Sequence, residues 1–178
     1  MKVGMDQMIV RRYDERDLTR IGLIHSRSRQ AAYAGLVPPD ALARVTPDEQ
    51  VEVWRVRMAT LASPNAPLVV EVDGEVVGFA VGQLAPETGA ELTAIHVLPE
   101  HRGTGAGKAL LDAVVAAFGR WGVSDARLHV IAGNERAQAF YRRNGWQHLG
   151  SAGIHEIGGA SVPVLEYGLV VRAASTTS

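Results

Sequence analysis

The chain has 178 residues, 18 Lys and Arg against 19 Asp and Glu, a formal charge of -1 and no cysteine; it is long enough to bury one substantial core, and it can form no disulfide, thiolate nucleophile or cysteine zinc site. The charge balance argues against a general nucleic-acid binder, which shows a basic excess. No apolar run approaches the roughly 18 residues of a membrane helix, and the leading MKVGMDQMIV has neither the apolar stretch nor the cleavage site of a signal peptide, so a cytoplasmic protein with no membrane partner is expected.

Residues 8–13 (MIVRRY) read as a first strand. Residues 14–34 carry Leu18, Ile21, Leu23, Ile24 and Ala31 with few breakers and read as a helix. Pro38 and Pro39 open a new segment, because proline suits a first helical turn and not an interior. Thr46, Pro47, Asp48 and Glu49 mark a helix start, with a threonine N-cap, proline at the first helical position and early acids. That helix runs to about Leu61, and Pro64-Asn65-Ala66-Pro67 ends it.

Residues 68–72 and 75–83 are strands flanking Asp73-Gly74, a hairpin signal. Residues 91–98 form a third strand whose apolar phase slips, with Leu92 on one parity and Ile95 and Val97 on the other. A one-residue slip turns side chains to the opposite face unless a β-bulge absorbs it, so a bulge is expected near 93–95. In HRGTGAGKALLDAVVAAFGRWG, the residues Leu110, Leu111, Val114, Val115, Phe118 and Trp121 share one helical face. Residues 126–132 form another strand, and Asn134 starts a helix through Ala137, Phe140 and Tyr141 that ends at Asn144-Gly145 with a left-handed cap. Residues 146–151 and 162–171 read as a final antiparallel pair. The order β-α-α-β-β-β-α-β-α-β-β implies a mixed α+β class, a mostly antiparallel sheet with a central β-α-β crossover. One domain is expected over residues 8–172, between flexible ends at 1–7 and 173–178.

The richest local signal is Arg102-Gly103-Thr104-Gly105-Ala106-Gly107-Lys108, between a strand and a long helix. Backbone N–H groups can crowd round an anion there, and the helix adds its free N-terminal donors and the positive end of its dipole. Arg102 and Lys108 put charge at either end, so the loop has the outline of a diphosphate site. A P-loop is excluded: counting back five from Gly107 reaches Arg102, and Ala109 follows Lys108. The dinucleotide fingerprint fails too, since its third glycine falls on Lys108 or Leu110. What fits is Arg-x-x-Gly-x-Gly; the plainer alternative is a strand-to-helix turn with a structural role alone.

At these residues the sequence resembles the GNAT superfamily of N-acetyltransferases. ELTAIHVLPEHRGTGAGKALL is similar to the family's fourth strand, pyrophosphate loop and third helix as one unit. About 30 residues on, NERAQAFYRRNGWQHLG is similar to its second signature, Asn-x-x-Ala-x-x-Phe-Tyr-x-x-x-Gly-aromatic. AAYAGLVPPDAL resembles many bacterial members, and the similar segments cover most of the chain. The resemblance implies an acyl-CoA N-acyltransferase fold whose fourth and fifth strands splay into a V-shaped cleft, with residues 8–172 as a single N-acetyltransferase domain. It implies acetyl-CoA as cosubstrate. Backbone at Ile95, His96 and Val97 would hold the pantetheine arm, and amides of Arg102, Gly103, Thr104, Gly105, Ala106, Gly107 and Lys108 the pyrophosphate. Asn134 would touch the arm, with Tyr141 and Arg143 beside the cofactor. The implied reaction moves an acetyl group to a primary amine of a small molecule or peptide by direct attack in a ternary complex. The alternative is a non-catalytic acyl-CoA-binding or sensor domain, which keeps the loop and need not keep Tyr141. A nucleotide-binding protein using the loop for ATP is disfavoured by the failed spacing. Many members dimerise, so a homodimer is compatible with the resemblance.

Direct transfer sets three tasks: deprotonate the amine, stabilise the oxyanion and protonate the thiolate. Tyr141 is the expected acid, since a phenol both hydrogen-bonds and gives a proton; it stands seven residues after Asn134 on the same helix face and matches the family's tyrosine. A tyrosine packed in a helix–sheet core is the other reading. Glu91 and His96 are the candidate bases, His96 because an imidazole titrates near neutral pH; a solvated strand-end charge and a satisfied strand histidine are the alternatives. Tyr33, His25 and His129 are weaker candidates. Backbone N–H groups on the bulged strand would stabilise the oxyanion. The six histidines show neither HxxEH nor HExxH spacing, so no catalytic metal is expected. The acceptor would meet residues 33–54 and 151–162, with Tyr33, Asp40, Glu52, Trp54, His155 and Glu156 on offer. Trp54, Trp121 and Trp146 read as packing residues.

Overall fold

The computed structural model describes residues 7–172, so the expected flexible ends lie outside the described residues except at Gln7. Gln7 itself is not frayed: its N–H donates to Asp73 Oδ1 at 3.0 Å, and its carbonyl accepts from Asp73 N at 3.0 Å. In chain order the elements are β1 (Met8–Arg12), α1 (Leu18–Tyr33), α2 (Pro39–Ala43), α3 (Pro47–Ala59), β2 (Asn65–Val72), β3 (Glu75–Ala85), β4 (Gly89–Val97), α4 (Ala106–Arg120), β5 (Asp125–Ile131), α5 (Glu135–Arg143), β6 (Gln147–Ile157) and β7 (Ala160–Val170). The strands form one seven-stranded sheet, β1-β2-β3-β4-β5-β7-β6. It is antiparallel except where β4 meets β5, the expected crossover. No helix among the described residues is long and apolar enough to cross a membrane.

Local chemistry explains most boundaries. Thr46 and Glu49 form a reciprocal capping box with Pro47 at the first helical position, as their spacing predicts. Asp73 and Gly74 both take positive φ, 51° and 85°, the geometry of a tight hairpin turn. Asn134 caps α5 by accepting from Ala137 N at 3.2 Å, and Gly145 closes it at φ 86°. Two expectations need correction. Asn65 to Pro67 do not merely end a helix: they open β2, where the Pro67 carbonyl accepts from Tyr13 N at 2.9 Å. Strand β6 runs six residues past the predicted end at Ser151, to Ile157, bending through irregular register beside Gly150 and Gly153.

Helices cover both faces. On one, Phe79 of β3 stands edge-on to Trp54 of α3 and His25 of α1, with centroids 4.9 and 6.2 Å away. On the other, Gly82 leaves room for Phe118 and Val114 of α4. The predicted α4 stripe is buried at Leu110, Leu111, Val114 and Phe118, while Val115 and Trp121 lie at its margin. A second apolar cluster, including Val37, Leu42, Ile131, Ile157 and Val164, ties the α1–α3 connection to the β5–β7 half of the sheet.

The expected bulge is present, at Thr93. Val81 pairs with Ala94 and Gly82 with Leu92, so Thr93 is the extra residue, and its hydroxyl donates to the Val81 carbonyl at 3.1 Å. The same segment marks the parting of β4 from β5. Their pairing covers only Ala90↔Ala126, Glu91↔Arg127 and Leu92↔Leu128; from Thr93 onward the β5-facing edge of β4 has no strand partner.

Gly89 controls the entry to that short pairing. It has φ 93°, and a Cβ there would stand 2.3 Å from the Asp125 carbonyl oxygen. Gly89→Ala is therefore expected to cost about 3 kcal/mol in urea unfolding, from positive φ and backbone overlap together. A loss below about 0.5 kcal/mol, the size of an ordinary surface substitution, would contradict this close approach.

Candidate active site

The parted strands open a cleft of about 920 Å³. Its walls are α1 and α3 (Ser28, Arg29, Tyr33, Arg57), β4 from Glu91 to Val97, the glycine loop, β5 at His129 to Ile131, α5, and β6 at His155 to Ile157. Most sequence-predicted residues meet here: Glu91, Ile95, His96, Val97, Arg102, Gly103, Gly105, Gly107, Lys108, Asn134, Tyr141 and Arg143 all line it. Two loop residues do not. Thr104 turns away to donate to the His101 carbonyl at 2.7 Å, and Ala106 is fully buried. Of the proposed acceptor contacts, Tyr33, His155 and Glu156 line the cleft, whereas Asp40, Glu52 and Trp54 do not. Glu52 pairs with Arg55 at 3.4 Å, and Trp54 is 1 % exposed.

The foot of the cleft is built for an anion. Gly103 and Gly105 take φ 76° and 94°, and a Cβ on either would meet nothing within 4 Å. Those turns aim the start of α4 into open space, where its free N–H groups and dipole favour negative charge. Arg102 donates to the Ser28 carbonyl at 3.2 Å and faces Arg136; burial and then this like charge push its pKa down. Arg136 was not singled out by the sequence, though its place two residues after the Asn134 cap turns it toward the same space. Lys108 pairs with Asp112 at 2.7 Å. Arg142 donates to the Tyr167 hydroxyl at 3.2 Å and does not line the cleft, whereas its neighbour Arg143 does. A diphosphate would meet converging donors and at least two arginines, so these residues fit the cosubstrate that the sequence implies.

Tyr141 projects from α5 into the cleft and is 7 % exposed. Burial raises its pKa above the ordinary phenol value, so the hydroxyl stays protonated at neutral pH. The neighbouring Tyr167 is different: its hydroxyl donates to Gln138 at 3.0 Å and is fully buried, which marks it as a packing residue.

His96 contradicts the expectation that it titrates near neutrality. Its pKa is pushed down to about 3, by burial first and then by Arg29, Arg102 and Arg57. The ring stacks on Phe79 with centroids 5.4 Å apart, and its Nδ1 lies 3.1 Å from the Ser28 hydroxyl. So weak a base cannot hold a proton taken from an amine. Its neighbour His25, 4.5 Å away ring to ring, is also held neutral by burial and accepts from Trp54 Nε1 at 3.0 Å. Glu91 has the better surroundings. His129 Nδ1 lies 4.0 Å from its carboxylate, and His129 Nε2 lies 3.5 Å from Glu166. His129 was a minor candidate in the sequence because β5, β4 and β7 are brought together only by the sheet.

Residues 30–146 match the sequence profile of the acetyltransferase (GNAT) family. An uncharacterized N-acetyltransferase of Mycobacterium tuberculosis is 29 % identical over 135 residues, covering 76 % of this chain and 86 % of that protein. Among solved structures, the PaiA N-acetyltransferase of Thermoplasma acidophilum in complex with coenzyme A is 20 % identical, with a TM-score of 0.71, covering 90 % of this chain and 98 % of that one. A GCN5-related N-acetyltransferase from Rhodopseudomonas palustris is 20 % identical with a TM-score of 0.72, covering 96 % and 99 %. The two structural likenesses show a shared fold.

The buried imidazoles make stability depend on pH. The folded pKa values of His25 and His96 lie below the unfolded value of roughly 6.5. Below that pH the unfolded chain binds protons that the folded chain refuses, so stability falls as pH falls, toward the folded pKa of about 3 for His96. Each proton contributes a slope of up to about 1.4 kcal/mol per pH unit. Urea midpoints are expected to drop between pH 7 and 5, and His96→Asn should flatten that drop. An unchanged slope in the variant would mean that His96 is not held neutral.

Proposed function

The chain belongs to the GNAT family of acetyltransferases, and we propose that it transfers an acetyl group from acetyl-CoA to a primary amine of a small molecule or peptide, by direct attack within a ternary complex. Residues 8–172 act as one acyltransferase domain in this reading. The observation that carries it is the parting of β4 from β5 after Leu92, with the glycine loop at one end of the gap and Tyr141 within it.

Acetyl-CoA supplies the activated thioester. The chain's own groups do the rest. Amides around Gly103, Gly105 and Gly107, with Arg102, Arg136 and Arg143, hold the diphosphate. The unpartnered edge of β4 at Ile95 to Val97 offers backbone donors and acceptors to the amide-bearing arm, as a missing strand would. Donors on the same edge stand ready for the oxyanion. The Tyr141 phenol, kept protonated by burial, gives its proton to the leaving thiolate. Glu91 takes the amine's proton, with His129 Nδ1 4.0 Å from its carboxylate. Holding both reactants in one cleft contributes much of the acceleration.

Calorimetric titration with acetyl-CoA, with ATP and NAD as controls, is expected to give selective binding in the micromolar range, about -8 kcal/mol. Tyr141→Phe should lower kcat by about 10²-fold, the lower range of general acid catalysis, while leaving CoA affinity intact. Gly105→Glu should abolish CoA binding in a variant that still melts cooperatively, through like charge at the diphosphate and strain at φ 94°. Unchanged turnover in the first variant would remove Tyr141 as the acid. Normal affinity in the second would refute the loop assignment.

A further inference from the structure

The cleft holds a second group of cations that the cofactor does not need. Arg29 of α1 lines it, and its Nε is buried with no hydrogen-bond partner among the described residues. Its guanidinium lies 5.9 Å from the centre of the Tyr33 ring. Arg57 of α3 lines the same wall, 5.2 Å from the Trp54 ring. Neither arginine enters an ion pair among the described residues, whereas Arg11, Arg20, Arg27, Arg55 and Arg127 each have a carboxylate. A charge removed from water without a counter-charge is expensive, and this holds for Arg29; Arg57 is exposed. Here the debt is compounded, because the groups packed round Arg29 are neutral: His25, His96 and Tyr33.

Something anionic from outside must complete this wall. On the reading above, the cofactor's negative charge is met at the foot, by Arg102, Arg136, Arg143 and the α4 N-terminus. The arm that runs between foot and thioester is uncharged, so a bound cofactor leaves Arg29 unmatched. Across the cleft, Glu91 and Glu156 line the wall that holds His129, a wall suited to a cation. Arg29, Arg57, Glu91, His129 and His155 all line the same cleft, so the two walls bound one space, and Tyr33 and Tyr141 line it too.

Resting on the acetyltransferase reading, we propose that the acceptor is an amino-acid-like amine, a small molecule carrying a carboxylate near its amino group. The carboxylate pairs with Arg29, whose planar fork suits it, and with Arg57 at the rim. The amine lies toward Glu91 and His129. A polyamine, with cations at both ends, would set one of them against Arg29.

The test uses the full chain loaded with CoA. Twenty N-acetyl-L-amino acids and their N-acetyl carboxamides serve as product-side probes, read by calorimetry or ligand-observed NMR. At least one carboxylate is expected to bind about tenfold or more tightly than its carboxamide. Arg29→Gln should erase that ratio and Arg29→Lys restore part of it, with CoA affinity unchanged in both. A merely structural arginine would lower all affinities without touching the ratio. Equal binding of acids and amides, a ratio that survives Arg29→Gln, or no binding by any carboxylate overturns the proposal. So does wild-type acetylation of spermidine in preference to every free amino acid, an outcome that leaves the acetyltransferase reading standing. Failure of acetyl-CoA itself to bind refutes both, and is seen in the loading step before any acceptor is added.

Discussion

Everything else in the molecule depends on a sheet that stops pairing in its own middle. Three residue pairs join β4 to β5, and then the strands separate. An interior edge left open is normally costly, because its backbone donors and acceptors lose their partners. Here the surrounding structure enforces the opening. The Thr93 bulge re-aims β4, and the Thr93 hydroxyl fastens the bulge to β3. β5 is held from its far side by seven pairs to β7, so it belongs to the other half of the sheet. The second apolar cluster then ties the α1–α3 connection to that half. The cleft is the space these separate commitments leave.

Charge follows from that geometry. Helices α1 and α4 approach the opening from opposite faces, and each brings cations to it. At the foot, the pKa of Arg102 is lowered by burial and then by the like charge of Arg136. Higher up, burial first, with Arg29 among the neighbouring charges, holds down the basicity of His25, His96 and His155. The result is a division between walls: arginines and neutral rings on the α1 side, carboxylates and His129 on the β5 side. On the reading proposed above, proton acceptance belongs on the second wall, because the first would oppose every new positive charge.

Features set by neighbours in the chain were legible in the sequence. The Asp73-Gly74 turn, the Thr46–Glu49 capping box and the Asn134 cap each depend on a few consecutive residues. The bulge was legible because a two-residue periodicity cannot change phase without one. Features set by distant partners were not. Pro67 reads as a terminator, yet it lies within a strand that β1 and β3 recruit from either side. The Glu91–His129 pair spans strands that are neighbours only through the crossover. The depressed basicity of His96 comes from burial first, under elements distant in the chain, and then from Arg29, Arg102 and Arg57, of which only Arg102 is near it in the chain. Arg29 did leave one trace: it stands four residues after His25 and four before Tyr33, an arginine on a stripe that otherwise turns inward.

That stripe also explains why a histidine in the centre of the cleft is not its base. Trp54 Nε1 donates to His25 Nδ1, which fixes neutral His25 as the tautomer with its proton on Nε2. His96 packs against that ring and against Phe79, with its Nδ1 at the Ser28 hydroxyl. Both imidazoles therefore have Nδ1 engaged within a buried aromatic cluster, with Arg29 and Arg57 adding like charge to each. Protonating either would break packing and add a like charge together. An imidazole in that setting works as a rigid, uncharged spacer, holding β4 at a set distance from α1 while the strand's opposite edge stays open. On the reading proposed above, the chemistry is thereby left to the Glu91 carboxylate on one side of the gap and, on the other, to the Tyr141 phenol, which burial keeps protonated.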